Sequence, residues 1–129
     1  MKVITKKPKT KAEFVRYHNI LWGAIIKELR KKTFVFVNST FPGIYLKRKV
    51  FERIFGNMVI RSICFGCEWS GPSCDNCLFD IEWSGGACID GYWHDFEKAI
   101  DDKDKYEAIT LAKIIRDFPV KKGRRSKEL

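Results

Sequence analysis

The sequence predicts a small α+β domain with an amino-terminal helix, short strands and two carboxy-terminal helices. Its 129 residues are the length of one domain, and 45% of them are hydrophobic, which is typical of a globular chain. Apolar residues recur at helical spacing in the first and last thirds, whereas β-branched and alternating segments lie between them. We therefore predict a single domain over residues 1–129, with a flexible basic arm at 1–10 and a disordered basic tail at 121–129.

Two helices are predicted in the amino-terminal half. Thr10 and Glu13 have the spacing of a capping box, in which each side chain accepts a hydrogen bond from the other residue's backbone N–H. Apolar residues at helical spacing follow and predict a helix over 11–31, closed by basic residues suited to the negative end of a helix dipole. The Pro-Gly pair at 42–43 indicates a turn, after which helical spacing returns over 45–55.

The strands of the predicted fold are short. Residues 33–38 are β-branched or aromatic almost throughout, and residues 58–63 are a weaker example of the same kind. Residues 78–83 alternate apolar with acidic side chains, which is the pattern of a half-buried strand.

Two helices are predicted near the carboxy terminus. The first begins at Asp90 or Gly91. The second is capped by Asp101 or Asp102 and ended by Pro119, since proline cannot continue a helix. Three apolar residues are expected on its inward face: Ile109, Ala112 and Ile115.

The cysteines predict a zinc site in the segment 62–100. Two C-x-x-C pairs lie within fourteen residues, a spacing that lets both sulfurs of each pair reach one tetrahedral ion. The simplest set of ligands is Cys64, Cys67, Cys74 and Cys77. An alternative set drops Cys74 or Cys77 and recruits Cys88 or, less favoured, His94. Because four thiolates weaken zinc as a Lewis acid and leave no open position, we expect a structural Zn²⁺ rather than a catalytic one.

Charge is distributed in blocks along the chain. Residues 1–61 carry 15 Lys and Arg against 3 Asp and Glu, residues 62–120 carry 5 against 12, and residues 121–129 carry 5 against 1. Basic surfaces of this kind neutralise phosphates, although an acidic protein surface would also attract them. The basic residues between the first helix and the cysteines are predicted to bind nucleic acid: Lys47, Arg48, Lys49 and Arg53.

Several classes of function are not supported by the sequence. A zinc deaminase needs a His-x-Glu motif, and an HNH nuclease needs several histidines, whereas this chain has two, His18 and His94. There is no glycine-rich phosphate loop, so we predict no enzyme and no small-molecule substrate. No apolar run approaches the roughly 18 residues of a membrane span, and no signal stretch follows the first residues, so a cytoplasmic protein without membrane contacts is expected.

The cysteine framework resembles one seen in a group of small cysteine-rich bacteriophage proteins. The shared pattern comprises Cys64-Phe-Gly-Cys67-Glu-Trp69, Cys74-Asp-Asn-Cys77, Cys88, Tyr92-Trp93 and the helix ending near Pro119. This chain departs from the group at Leu78, where proline is usual, and in a longer basic insertion over 33–62. The resemblance implies a phage origin, with a host-cell cytoplasmic location, and metal binding, but no activity.

Two functions follow from these observations. The first is a non-catalytic, zinc-stabilised protein that binds nucleic acid through its basic surfaces. The alternative is a phage inhibitor of a host protein, active in takeover or anti-defence, that acts by protein–protein binding.

Overall fold

The described part of the protein is all-helical. A computed structural model describes residues 3–36, 40–56, 58 and 89–118. Within these ranges the elements are four helices: α1 (Lys11–Arg30), α2 (Pro42–Phe55), α3 (Ile89–Asp101) and α4 (Lys105–Arg116). No strand occurs in the same ranges, so the predicted α+β class is wrong for the part of the chain that can be described.

The four helices pack in a ring around one apolar core. Helix α1 packs against α2 and α4, and α3 packs against the same two helices. The centre of the core is aromatic, because the Trp22 ring meets Trp93 and Phe96 edge to face, with centroids 6.1 and 5.3 Å away. Aliphatic residues fill the remaining space, and those with at most 2% exposure are Leu21, Ile25, Leu29, Val50, Ile100, Ala108, Ala112 and Ile115. The predicted amino-terminal helix and its capping box are confirmed.

The strand predicted at 33–38 is not formed over 33–36, the part of it that the structure describes. Helix α1 ends at Arg30 and the chain continues without regular structure. Phe34 and Phe36 instead pack edge to face against each other, 5.0 Å apart, and lie against the core. Aromatic residues can bury their rings in this way without pairing in a β-sheet, and the described ranges contain no strand with which this segment could pair. Of the segment predicted at 58–63 only Met58 is described, without regular structure, and 78–83 lies outside the described residues.

Helix α2 begins three residues earlier than predicted. Pro42 occupies its first turn, where a missing N–H costs nothing, and Phe41 at the cap position offers no side-chain hydrogen bond. The cap comes from α3, because the Glu97 carboxylate accepts hydrogen bonds from the backbone N–H of Gly43 at 2.7 Å and Ile44 at 3.0 Å. A Cβ on Gly43 would lie 2.8 Å from that carboxylate, so a larger residue at position 43 would displace the Glu97 side chain from its present position.

A tight turn connects α3 and α4 into a hairpin. Lys103 adopts a positive φ of 59°, and the N–H groups of Lys103 and Asp104 donate to the carbonyls of Ile100 and Ala99, the pattern of a Schellman motif. The cap of α4 is Asp104, which accepts from the Glu107 N–H, rather than the predicted Asp101 or Asp102. Asp101 is instead the last residue of α3, and Asp102 lies in the turn. On the inward face of α4, Ala112 and Ile115 are buried and Ile109 is partly buried.

The amino-terminal segment, predicted to be a flexible arm, makes contacts with two helices over its described residues. The Ile4 N–H donates to the Ile54 carbonyl at the end of α2, and the Tyr17 hydroxyl donates to the Lys6 carbonyl, both at 2.7 Å. Pro8 is buried. These contacts place Ile4 along the edge of the core and bring the segment next to the surface described below.

Candidate nucleic-acid interface

A basic groove runs along the outer side of α1 toward its carboxy-terminal end. Its volume is about 900 Å³, and its apolar surface comes from small and aliphatic residues, including Ile20, Gly23 and Ala24. Among the described residues, no atom outside the neighbouring part of α1 lies within 4 Å of the position where Gly23 would carry a Cβ. Five cations contributed by three helices line it: Lys27, Arg30 and Lys31 (at the end of α1), Arg53 of α2 and Arg116 of α4.

One carboxylate pairs with two of the five cations of this groove. Glu28 accepts from Lys31 Nζ at 3.0 Å and from Arg53 at 3.2 Å. The hydrogen bond from Lys31 and then that from Arg53 hold the pKa of Glu28 below its ordinary value, so it is ionised at neutral pH. Arg116 pairs with the neighbouring Asp117 at 2.8 Å. Lys27 and Arg30 are exposed on α1.

A smaller hollow continues the groove past Arg53. It has a volume of about 300 Å³ and lies between α2 and the segment that follows α1. Arg53 lines both the groove and the hollow, and Lys49 lies one helical turn before it on the same side of α2. Three aromatic residues also line the hollow: Phe34, Phe36 and Tyr45. The groove and the hollow are called the basic surface below.

The four residues predicted to bind nucleic acid do not form one patch. Lys49 and Arg53 belong to the basic surface, whereas Arg48 and Lys47 line neither of its parts. Residues that follow one another on a helix point about 100° apart, so three consecutive cations cannot share a face. Lys47 lies over the core aromatics, with Nζ 5.0 Å from the Trp93 ring centre and 5.7 Å from that of Trp22.

The α1 cations are the binding candidates that the sequence did not identify. From sequence, the basic residues at the end of this helix are explained by the dipole alone, which favours cations there. The spacing of three and four residues between Lys27, Arg30 and Lys31 nevertheless places them on one side of α1. What the sequence could not supply is the position of α2, which brings Arg53 to Glu28.

The predicted zinc ligands are almost entirely outside the described residues. This is true of Cys64, Cys67, Cys74, Cys77 and Cys88. His94, the remaining candidate, is an exposed residue of α3. Over the described ranges, no three His, Cys, Asp or Glu side chains are grouped so as to hold a metal ion. The zinc site therefore stays a prediction from the spacing of the cysteines.

The second histidine, His18, is part of the core. It is 1% exposed, and Nε2 donates to the Ile115 carbonyl in the last turn of α4 at 2.8 Å. Burial, and to a smaller extent the positive charge of Lys47, lowers the pKa of His18 to about 4, against a rise from the hydrogen bond to Ile115. At neutral pH this histidine is uncharged and connects α1 to α4.

The helices that are described are too short or too polar to cross a membrane. Comparison of the chain with known protein families, curated proteins and solved structures finds no match, and its function is therefore inferred from the residues and geometry given above.

Proposed function

We propose that this protein is a non-catalytic nucleic-acid-binding protein whose basic surface receives the sugar-phosphate backbone. The observation that carries the proposal is the composition of that surface, which among the described residues brings together six Lys and Arg side chains and a single carboxylate. The proposal retains the structural zinc predicted for the cysteine segment and a cytoplasmic location.

The arrangement of charge favours a polyanion over a small ligand. The cations are spread along a groove and its continuation rather than converging on one point. Glu28 neutralises at most one of the two cations that it contacts, and Asp117 offsets Arg116, so the six cations still leave the surface with a net positive charge. Each phosphate that replaces the counterions of such a surface releases them to solution, which drives binding at low salt.

The other explanation of these charges is that they stabilise the helices that carry them. Cations in the last turn of a helix stabilise it by about 0.3–1 kcal/mol each through the dipole. That effect accounts for Lys27 and Arg30 of α1, and equally for Arg53 and Arg116 in the last turns of α2 and α4. It does not account for Lys49, which lies in the middle of α2. Lys49 and its neighbour Arg48 therefore distinguish the two explanations.

A salt titration of nucleic-acid binding tests the proposal. Affinity for a generic DNA or RNA oligonucleotide is measured by fluorescence anisotropy between low and physiological salt. We expect log affinity to fall linearly with log salt. Lys49→Ala or Arg30→Ala should make this slope shallower by about 0.7–0.9 for each phosphate that the variant no longer neutralises.

Arg48→Ala is the matched control, because Arg48 is exposed on the same helix but does not line the basic surface. Equal effects of Arg48→Ala and Lys49→Ala would contradict the assignment to this surface. No binding of any nucleic acid at low salt would end the proposal and would leave binding to a host protein as the function to pursue.

A further inference from the structure

The hollow at the end of the basic surface combines aromatic rings with cations, which is more than backbone binding requires. Tyr45 is 46% exposed on α2 and lines the hollow together with Lys49 and Arg53. A phosphate needs only the two cations. Exposed aromatic rings beside a basic groove are the arrangement on which unpaired bases stack.

We propose that the basic surface selects single-stranded nucleic acid, with a base stacking on Tyr45 while the flanking phosphates contact Lys49 and Arg53. This inference rests on the proposed function and names its class of ligand. In a duplex the bases are paired and stacked on one another, so their faces do not reach a side chain outside the helix. A single strand presents both its phosphates and the faces of its bases.

The positions of the aromatic residues distinguish Tyr45 from its neighbours. Phe34 and Phe36 are partly buried, pack edge to face with each other and lie against the core. Lys105 of α4 additionally places its Nζ 5.8 Å from the centre of the Phe34 ring. These contacts hold the two phenylalanines as the wall of the hollow, and the more exposed Tyr45 is the ring that a ligand can reach.

The volume and charge of the hollow agree with this ligand. At about 300 Å³ it lies at the small end of the range for ligand pockets, which is enough for one flat ring and not for a folded segment. Lys49 and Arg53 are separated by four residues of α2, or about 6 Å along the helix axis. Tyr45 precedes Lys49 by the same spacing, so the ring and the two cations follow one side of α2, where Glu28 offsets part of the charge of Arg53.

The test compares three probes of equal length: a single-stranded oligothymidine, the duplex that it forms with oligodeoxyadenosine, and an abasic strand with the same phosphates. We expect the single strand to bind more tightly than the abasic strand by about fivefold to 150-fold, the range for one stacked base. Tyr45→Leu is expected to bring the ratio of these two affinities toward one, and Tyr45→Phe, which keeps the ring, to restore it.

Tyr106→Leu is the matched control, since Tyr106 is 81% exposed on α4 and does not line the basic surface. Circular dichroism confirms that each variant is folded. Equal affinity for the single and abasic strands would overturn the stacking proposal while leaving backbone binding intact, and so would tighter binding of the duplex. Failure to bind all three probes at low salt would overturn the proposed function itself.

Discussion

At the scale of single residues, the buried His18 shows how one side chain makes the packing of two helices depend on pH. Its ring donates to the Ile115 carbonyl in the last turn of α4, which also accepts from the Phe118 N–H, and it does so in the neutral form. Lys47 adds a positive charge nearby, which further disfavours protonation. The residue therefore contributes to stability only while it is uncharged.

The pH dependence of stability follows from this change in pKa. The pKa of His18 is about 4 when folded and near 6.5 when unfolded, so the unfolded chain binds the extra proton between these values. Stability from His18 is fully present above pH 6.5 and is lost as pH falls toward 4, by about 3 kcal/mol over the whole window. Urea unfolding at several pH values measures this loss.

His18→Gln is the control for that titration. Glutamine can place an amide nitrogen near the position of Nε2 and does not titrate, so the variant should lose less stability between pH 6.5 and 4 than the original chain. Lys31 and Arg53 hold the pKa of Glu28 below its ordinary value, so the stability from these ion pairs is lost only at lower pH. That loss is the same in both proteins. Parallel pH curves for the two proteins would show that His18 does not control stability in this window.

At the scale of elements, the start of α2 depends on a residue that is 54 positions away in the chain. Glu97 of α3 accepts from two backbone N–H groups of α2, whose cap residue Phe41 offers no side-chain hydrogen bond. A missing cap costs about 1–2 kcal/mol, because the donors lose their partner and the helix dipole loses a negative charge. We expect Glu97→Ala to lower the free energy of unfolding by this amount in urea denaturation.

Asp95 provides the comparison for that variant. It is an exposed carboxylate of the same helix, and Asp95→Ala should change the free energy of unfolding by less than about 0.5 kcal/mol. Glu97→Gln should fall between the two, since it keeps one acceptor oxygen. A loss in Glu97→Ala no larger than in Asp95→Ala would show that the tertiary cap does not stabilise α2.

The elements also show what the sequence could predict. Helix α1 is predictable to within a residue because its capping box and its apolar spacing are local signals. The start of α2 is not, because Pro42-Gly43 also fits a turn, and the carboxylate that caps this end comes from Glu97 of α3. The strand predicted at 33–38 rests on residue type alone, whereas Phe34 and Phe36 use their rings to cover the core.

The same reasoning applies to the binding residues. Basic residues adjacent in sequence suggest one patch, and the helix divides them. The structure groups Lys49 and Arg53 with three cations of α1 from a different part of the chain. Sequence could therefore identify the charge and its amount, but the surface on which it collects depends on how α1 and α2 pack.

At the scale of the whole molecule, zinc remains a prediction with a direct test. Four cysteine thiolates are expected to hold one Zn²⁺ per chain, measured by elemental analysis of protein purified without added metal. Because binding of structural zinc contributes to folding, a strong chelator should lower the melting temperature, and added zinc should restore it. Cys67→Ser with Cys77→Ser removes one thiolate from each pair and should abolish the metal content.

Cys88→Ser distinguishes the alternative ligand sets. If Cys64, Cys67, Cys74 and Cys77 bind the ion, this variant keeps its zinc and its response to the chelator. Loss of zinc in Cys88→Ser would place Cys88 in the set. A folded protein that contains no metal would refute the prediction for the whole segment.

The central claim is that the basic surface is where nucleic acid binds. The most direct measurement is the change in backbone amide chemical shifts when a single-stranded oligonucleotide is added to the isotope-labelled protein at low salt. We predict that the largest changes occur at Lys27–Lys31 and Lys49–Arg53, together with the side of α2 that carries Tyr45. Largest changes confined to the exposed residues of α3 and α4, such as Lys98 and Tyr106, would contradict it.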